Sequence, residues 1–300
     1  MRKLFVLILS LFITLQSLAA EPLWQGKGRI VCSSDGNEHD DDDWAATPTT
    51  LAIIASRGIQ DKLTLFTYSD HVWGSSKTYP NKGGLNAHEH MHFSAIGGKY
   101  FFKFDNSEFI SAVDHPEKAY DAMAREINLS SEENPLFIIA AGPMQVVGEG
   151  MNRSDKSKHK YVTIISHSQW NNRHAKAPMT KRHPWDEHTG WTWNDMKEQF
   201  AEITYLLIAN QNGAKTHPGL FTPKVDFDWV KTAKEGEGKS NFRAGAWEFL
   251  YQRLESCQKS RRGMPKEDKY FDASDAGMAL FLLTGNDQTS PKMLEEFMCK

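Results

Sequence analysis

The chain has 300 residues, a formal net charge of −3 at pH 7 and a hydrophobic content of 40%. A charge this small gives no basic footprint for nucleic acid or for an anionic membrane, so we expect neither as a partner. Three cysteines are too few for a disulfide scaffold. They leave two arrangements open, either three free thiols or one Cys257–Cys299 bridge with Cys32 buried in an apolar run.

The first 20 residues have the pattern of a secretory signal peptide. Arg2 and Lys3 precede an apolar core that runs from Leu4 to Leu15, and small residues close the segment at Ala20. This core is shorter than the roughly 20 residues that span a bilayer. We therefore predict a secreted or periplasmic protein whose mature chain, residues 21–300, forms a single domain without repeats or low-complexity linkers.

Short apolar runs alternate with helical patterns along the mature chain. The runs predict buried strands at Gly28–Ser34, Leu63–Ser69, Pro135–Gly142 and Lys160–Ser166. Helical patterns occur around Leu51–Ala55, at Glu117–Ile127, from Met144, and at Asn194–Asn210, Phe242–Cys257 and Asp275–Leu283. Asp70–Phe93 and Gln169–Trp193 have no assignment. This alternation predicts an α/β fold with a mostly parallel central sheet flanked by helices.

Carboxylates crowd the loop that follows the first predicted strand. Asp35, Glu38 and Asp40–Asp43 lie within the stretch "SSDGNEHDDDDWAATP". One aspartate could cap the next helix while the others face water, but adjacent like charges repel and a cap needs only one. A hard cation such as Ca²⁺ takes about six to eight oxygen ligands and explains the number better, although the order does not fit an EF-hand. Because Pro48 would clash deep inside a helix, we expect the helix to begin no earlier than Ala45.

Three segments resemble the inosine–uridine nucleoside hydrolase family. "IVCSSDGNEHDDDDWAATPTTLAIIAS" resembles its opening, where a strand ends in an aspartate and an aspartate pair begins a helix. "NPLFIIAAGPMQVV" resembles a strand that runs into Gly-Pro-Leu-Thr-Asn, and "DASDAGMALFLLTG" resembles a late helix opened by His-Asp-Pro. The segments occur in family order, so the resemblance touches most of the mature chain and implies an open α/β sheet.

The resemblance assigns roles to individual residues. It implies that Asp43 is a bidentate Ca²⁺ ligand, that Asp35 is both ligand and base, and that Asp275 completes the set. The carbonyl of Ala141 would supply a backbone ligand. Asp42 would contact the sugar or the attacking water.

The sequence departs from the family pattern in three places. About three extra residues separate Asp35 from the aspartate pair, so Asp40 or Asp41 could replace Asp42. Ser274 stands where the family has a histidine that protonates the leaving base, and Met144-Gln145 replaces Leu-Thr. The remaining sugar-binding and acid candidates follow predicted strand ends: Asn171, Asn172, Trp170, His167 and His71.

The sequence "HEHMH", His88 to His92, has the His-Glu-x-x-His spacing of zinc metallopeptidases. That chemistry needs a helix, whereas the flanking glycines favour a loop, either one that borders the carboxylate site or a surface cluster. Trp170, Trp185, Trp191 and Trp193 also lie close together, either to stack on sugar rings or to pin a long loop.

We therefore expect a secreted, Ca²⁺-dependent hydrolase that cleaves a glycosidic bond, N-ribosyl or related, in a small nucleoside or glycoside. A Ca²⁺ and sugar-binding protein without catalysis is the first alternative, favoured by Ser274, and a zinc metallopeptidase is the second. A homo-oligomer stays open.

Overall fold

The computed structural model describes residues 21–36, 41–69, 85–172, 190–233, 241–259 and 268–299. The predicted signal peptide lies outside these residues, and so do His71, Asp40 and Trp185. Export and the single-domain organisation therefore stay predictions. Among the helices that are described, none is both long and apolar enough to cross a membrane.

A six-stranded parallel sheet forms the centre of the fold and confirms the predicted α/β class. Its strands follow the order β3-β2-β1-β4-β5-β6. They are β1 (Arg29–Ser33), β2 (Leu63–Tyr68), β3 (Glu108–Ser111), β4 (Leu136–Ala140), β5 (Val162–Ser166) and β6 (Thr204–Leu207). A smaller antiparallel sheet, in the order β7-β9-β8, consists of β7 (Phe221–Pro223), β8 (Gln258–Lys259) and β9 (Tyr270–Asp272).

Helices cover both faces of the parallel sheet. They are α1 (Asp43–Ser56), α2 (Ala87–Phe101), α3 (Pro116–Asn128), α4 (Gln145–Arg153), α5 (Trp193–Gln199), α6 (Asp228–Thr232), α7 (Ala246–Ser256), α8 (Gly277–Thr284) and α9 (Pro291–Cys299). In β1, Ile30 and Cys32 join the core on the side of α1, whereas Val31 joins the core on the side of α3. Successive strand side chains point to opposite faces, so a strand covered on both sides is apolar throughout.

Helix α1 begins two residues earlier than the sequence predicts. Asp43 is its first residue, and Pro48 lies inside it. Proline has no backbone N–H, so Pro48 cannot donate a hydrogen bond to the carbonyl of Trp44, which lies one turn earlier. The hydroxyl of Ser94 in α2 donates to that carbonyl at 2.7 Å. The prediction was wrong because a side chain from another helix replaces the missing backbone donor.

One further prediction was wrong, and two points that the sequence left open are decided. The predicted helix Asn194–Asn210 is instead the short α5 followed by β6, because Thr204–Leu207 pairs with β5. The segment Asp70–Phe93, left unassigned, contains the start of α2, which a capping box between Asn86 and Glu89 opens. The Cys257–Cys299 bridge is not formed, because neither cysteine is in a disulfide, and Cys257 is buried while Cys299 is exposed.

The strand order reverses direction between β1 and β4. From β1 the chain continues outward to β2 and β3, and from β4 it continues to β5 and β6 on the other side. In such sheets the crevice outside the carboxyl ends of the two central strands is the usual ligand position. Asp35 follows β1 at this crevice, and Gly142 follows β4.

Candidate functional site

Three aspartates from distant parts of the chain meet at the crevice. Asp35 follows β1, Asp43 begins α1, and Asp275 lies in the 3-10 turn before α8. Each offers one carboxylate oxygen, and these oxygens all lie within 4.8 Å of one another. The backbone N–H of Asp35 donates to Oδ2 of Asp43 at 3.0 Å. We call these three residues the aspartate cluster.

The aspartate cluster is buried, with Asp35 and Asp43 each 1% exposed and Asp275 7% exposed. Burial and the nearby Asp275 carboxylate raise the pKa of Asp43 well above its usual range. Burial also raises the pKa of Asp275, against the opposing effect of His167. Buried like charges need a compensating cation, and carboxylate oxygens are the ligands of hard divalent ions. The donor set therefore fits Ca²⁺.

The end of β4 closes the crevice beside Asp35. The N–H of Ala141 donates to the carbonyl of Ser33 at 2.8 Å, which fixes Ala141, the residue before Gly142, next to β1. Gly142 has a φ of +90°, and a Cβ there would lie 2.4 Å from Oδ1 of Asp35. Only glycine leaves room for the carboxylate at this position. That the Ala141 carbonyl contacts a cation stays a prediction.

The second half of the acidic loop has a different partner, which the sequence did not reveal. Nζ of Lys259 in β8 lies 3.0 Å from Oδ1 of Asp41 and 3.2 Å from Oδ2 of Asp272. Burial lowers the pKa of Lys259, but the carboxylates of Asp42 and Asp272 outweigh it and raise the pKa overall. Burial raises the pKa of Asp272 to about 6. The ammonium group of Lys259 thus compensates the negative charge of Asp41 and Asp272.

Asp42 lies between the lysine and the aspartate cluster. Its Oδ1 accepts from the N–H of Asp43 at 3.0 Å, so it caps α1. Its Oδ2 accepts from the hydroxyl of Ser274 at 3.3 Å. The Ser274 hydroxyl therefore holds Asp42 in place.

His167, predicted as a substitute acid, lies inside the site. Its Nε2 is hydrogen-bonded to Oδ1 of Asp275, and its Nδ1 accepts from the backbone N–H of Gln211 at 3.3 Å. This network assigns the ring proton to Nε2 in the neutral imidazole. Burial lowers the pKa of His167, but the Asp275 carboxylate outweighs burial and raises it.

A cavity of about 250 Å³ opens above the site. Five of the residues predicted from the sequence line it, together with three that were not predicted. The predicted ones are Asp42, His167, Trp170, Asn171 and Asp275, and the others are Gly142, Ser168 and Asn212. Asn172 is not among the lining residues, and its Oδ1 is buried without a hydrogen-bond partner within the described part of the chain.

The described tryptophans of the tryptophan-rich segment lie in two different environments. Trp170 is 44% exposed and lines the cavity. Trp193 is buried in the core on the α3 side, and Nε1 of Trp191 donates to Glu149 at 3.1 Å. Trp191 and Trp193 therefore anchor the start of α5 to the scaffold, and among the described tryptophans of this segment only Trp170 remains as a stacking candidate.

The His-Glu-x-x-His stretch is helical, so the expectation of a loop there was wrong. Nδ1 of His88 lies 3.2 Å from the hydroxyl of Ser69, and Nε2 lies 2.8 Å from Oδ2 of Asp114. Nδ1 of His92 lies 2.8 Å from the hydroxyl of Tyr68, and Glu89 caps the helix. Both ring nitrogens of His88 thus have protein partners and Glu89 is used in the cap, whereas a zinc peptidase needs a histidine nitrogen for the metal and the glutamate as base.

No family model matches this chain. It is similar to uncharacterized protein P22 of Formosa agariphila, with 25% identity over 262 residues, which covers 86% of this chain and 84% of that protein.

Proposed function

We propose that this protein is a Ca²⁺-dependent hydrolase of a glycosidic bond, N-ribosyl or related. One observation carries the proposal. The oxygens of Asp35, Asp43 and Asp275 lie within 4.8 Å of one another, and a cavity lined by Asp42 and Asp275 opens beside them. The resemblance to nucleoside hydrolases supports it further, because it selects the same three aspartates as ligands.

The cluster residues would hold the ion through their carboxylates, with the Ala141 carbonyl as a further ligand. When bound, Ca²⁺ would orient vicinal hydroxyls of the sugar and thereby reduce the orientational cost of reaction.

The acids of the chain carry the chemistry. Asp35 would take a proton from the water that attacks the anomeric carbon, and Asp42, which lines the cavity, is the other candidate for this step. Positive charge develops on the sugar in an oxocarbenium-like transition state, and the surrounding carboxylates stabilise it. His167 would protonate the leaving group from its imidazolium form and return to the neutral imidazole, since Ser274 stands where the family has a histidine.

The predicted signal peptide supports an exported enzyme, for which sugars derived from glycans are more accessible substrates than the nucleosides of the cell interior. A binding protein without catalysis is the second candidate. Ser274 favours it, because this hydroxyl holds Asp42 at the position of the family's acid.

Calcium titration calorimetry on purified, chelator-treated protein tests the metal centre. Loss of a residue that only supports a metal ligand typically lowers metal affinity about 10–100-fold. Asp43→Ala removes a proposed ligand itself, so it should lower Ca²⁺ affinity by more than that. Asp61→Ala is the matched control, because Asp61 is 64% exposed and pairs with Lys62. Unchanged Ca²⁺ affinity in folded Asp43→Ala would contradict the proposal.

A screen of nucleosides and glycosides for released sugar tests the reaction. Calcium binding with sugar release supports the hydrolase. Calcium binding without turnover of any substrate leaves the binding protein, and zinc without calcium would favour the peptidase.

A further inference from the structure

Trp170 lines two adjoining hollows at the carboxyl edge of the sheet. The smaller is the cavity of about 250 Å³ beside the aspartate cluster. The larger, of about 650 Å³, lies along the end of β6. Ser168 and Trp170 line both hollows. We call the larger one the outer groove.

Two loops run from one hollow into the other. The turn after β5 contributes Ser168 and Trp170 to both. The loop after β6 contributes Asn212 to the cavity and Asn210 to the outer groove, and Oδ1 of Asn210 accepts from the N–H of Asn212 at 3.1 Å. The two hollows therefore share their walls and form one continuous surface.

The position of Trp170 is fixed by its own turn. Ser168 has a φ of +67°, in the left-handed region, and its hydroxyl accepts from the N–H of Trp170 at 3.2 Å. Nδ2 of Asn171 donates to the carbonyl of His167 at 3.4 Å and to the hydroxyl of Ser166 at 3.5 Å. A residue with positive φ that is not glycine persists only where its surroundings hold it. The indole is thus presented on a braced turn.

The sizes of the hollows suggest how a substrate divides between them. The cavity is smaller than the about 300–1,000 Å³ of ordinary ligand pockets, so it suits one sugar ring. The outer groove is larger than the cavity, so a leaving group that enters it can exceed one ring.

The lining of the outer groove has the character of a saccharide subsite. Leu207 is 40% exposed there, and Ile208 and Asn210 lie next to it. Aromatic and aliphatic faces pack on the C–H face of a sugar ring, while amides bind its hydroxyls.

We propose that the substrate is a disaccharide or longer saccharide that spans Trp170. The sugar that reacts occupies the cavity, and the leaving saccharide extends over the indole into the outer groove. This inference rests on the proposed glycosidase function. In the reaction the anomeric C–O bond breaks, the oxygen of water forms the new bond to that carbon, a carboxylate takes one proton of the water, and the leaving oxygen receives a proton.

The test compares substrates that share the reacting sugar. The panel contains di- and trisaccharides of glucose, xylose, galactose and arabinose, the methyl glycosides of these four sugars, and inosine and uridine. Wild-type enzyme should show a higher kcat/KM on a saccharide than on the corresponding methyl glycoside or on either nucleoside.

Trp170→Ala should lower kcat/KM on the saccharide about tenfold, the scale of one lost ring-stacking contact, and lower it by a smaller factor on the methyl glycoside, which lacks the sugar that would occupy the outer groove. Trp170→Phe should recover most of the loss. Tyr100→Ala, which removes another exposed aromatic ring, is the matched control and should behave as wild type.

Each outcome separates the two proposals. Equal losses on the saccharide and the methyl glycoside, or a preference for inosine or uridine, would overturn the saccharide assignment and keep the glycosidase. If no substrate is cleaved, the glycosidase proposal fails, and calorimetry with the same trisaccharides then decides the subsite. A tenfold weaker binding in Trp170→Ala supports the subsite, and unchanged or absent binding overturns it.

Discussion

Replacing Gly142 by alanine tests whether Asp35 must lie where the structure places it. The new Cβ would be 2.4 Å from Oδ1 and 2.6 Å from Cγ of Asp35, about 1 Å short of the 3.4 Å at which ordinary contact begins. Calcium ligands lie at about 2.3–2.6 Å from the ion, a window far narrower than this displacement. Asp35 should therefore be lost as a ligand.

Two effects contribute, and they can be measured separately. The φ of +90° at Gly142 strains any other residue, which should lower the free energy of unfolding by about 1–3 kcal/mol. The displaced carboxylate should lower Ca²⁺ affinity by at least about tenfold, within the range that ligand disturbance produces in metal sites. Urea denaturation measures the first effect, and calcium titration calorimetry measures the second.

Gly26 provides the matched control. Its φ is +85°, and an added Cβ there meets no atom within 4 Å. Gly26→Ala should therefore show the backbone strain without any loss of Ca²⁺ affinity. In an Asp35→Ala background, Gly142→Ala should cause no further loss of affinity. If Gly142→Ala binds Ca²⁺ as tightly as Gly26→Ala does, Asp35 is not a ligand and the reasoning is refuted.

Three further outcomes are expected. Lys259→Met should lower the free energy of unfolding, measured in urea, by about 2–3 kcal/mol. Breaking a fully buried ion pair costs about 3–5 kcal/mol, and the loss is smaller here because 25% of the lysine side chain is exposed. An unchanged free energy of unfolding would mean that the ion pairs contribute nothing. Ser94→Ala should cost about 1–3 kcal/mol by leaving the Trp44 carbonyl unpaired, and less in a Pro48→Ala background, where a backbone N–H returns; equal costs in both backgrounds would count against this account. His88→Ala should leave the calorimetric Ca²⁺ affinity unchanged, since its ring nitrogens lie against Ser69 and Asp114.

The central strands of the sheet could be predicted from the sequence, whereas its edge strands could not. β1 and β4 are covered on both faces, so their residues form continuous apolar runs that stand out. β6 is an edge strand in which Thr204 and Leu207 are exposed, so its pattern resembles the end of the preceding helix. β3, the other edge strand, begins with two half-buried residues and was missed for the same reason.

The aspartates of the site could be found from the sequence because they follow strand ends or begin helices, and the hydrophobic pattern of the sequence shows where strands end and helices begin. Lys259 and Gln211 could not, because each acts on residues far away in the sequence. Lys259 lies in the short β8, and Gln211 reaches His167 through its backbone N–H, which no side-chain motif records. The capping box that opens α2 was visible as Asn86 and Glu89, and it outweighs the glycines that suggested a loop.

Positive charge is unevenly distributed around the acidic loop. Lys259 compensates Asp41 and Asp272, so this side of the loop is balanced by the chain itself. Among the described residues, Asp43 has no lysine or arginine in an ion pair, and the basic partner of Asp275 is His167. A lysine ammonium satisfies two carboxylates as a point charge, but it cannot gather oxygens from several directions around one centre. The oxygens of Asp35, Asp43 and Asp275 converge beside the cavity instead, which is the arrangement expected if a divalent cation binds there together with a sugar.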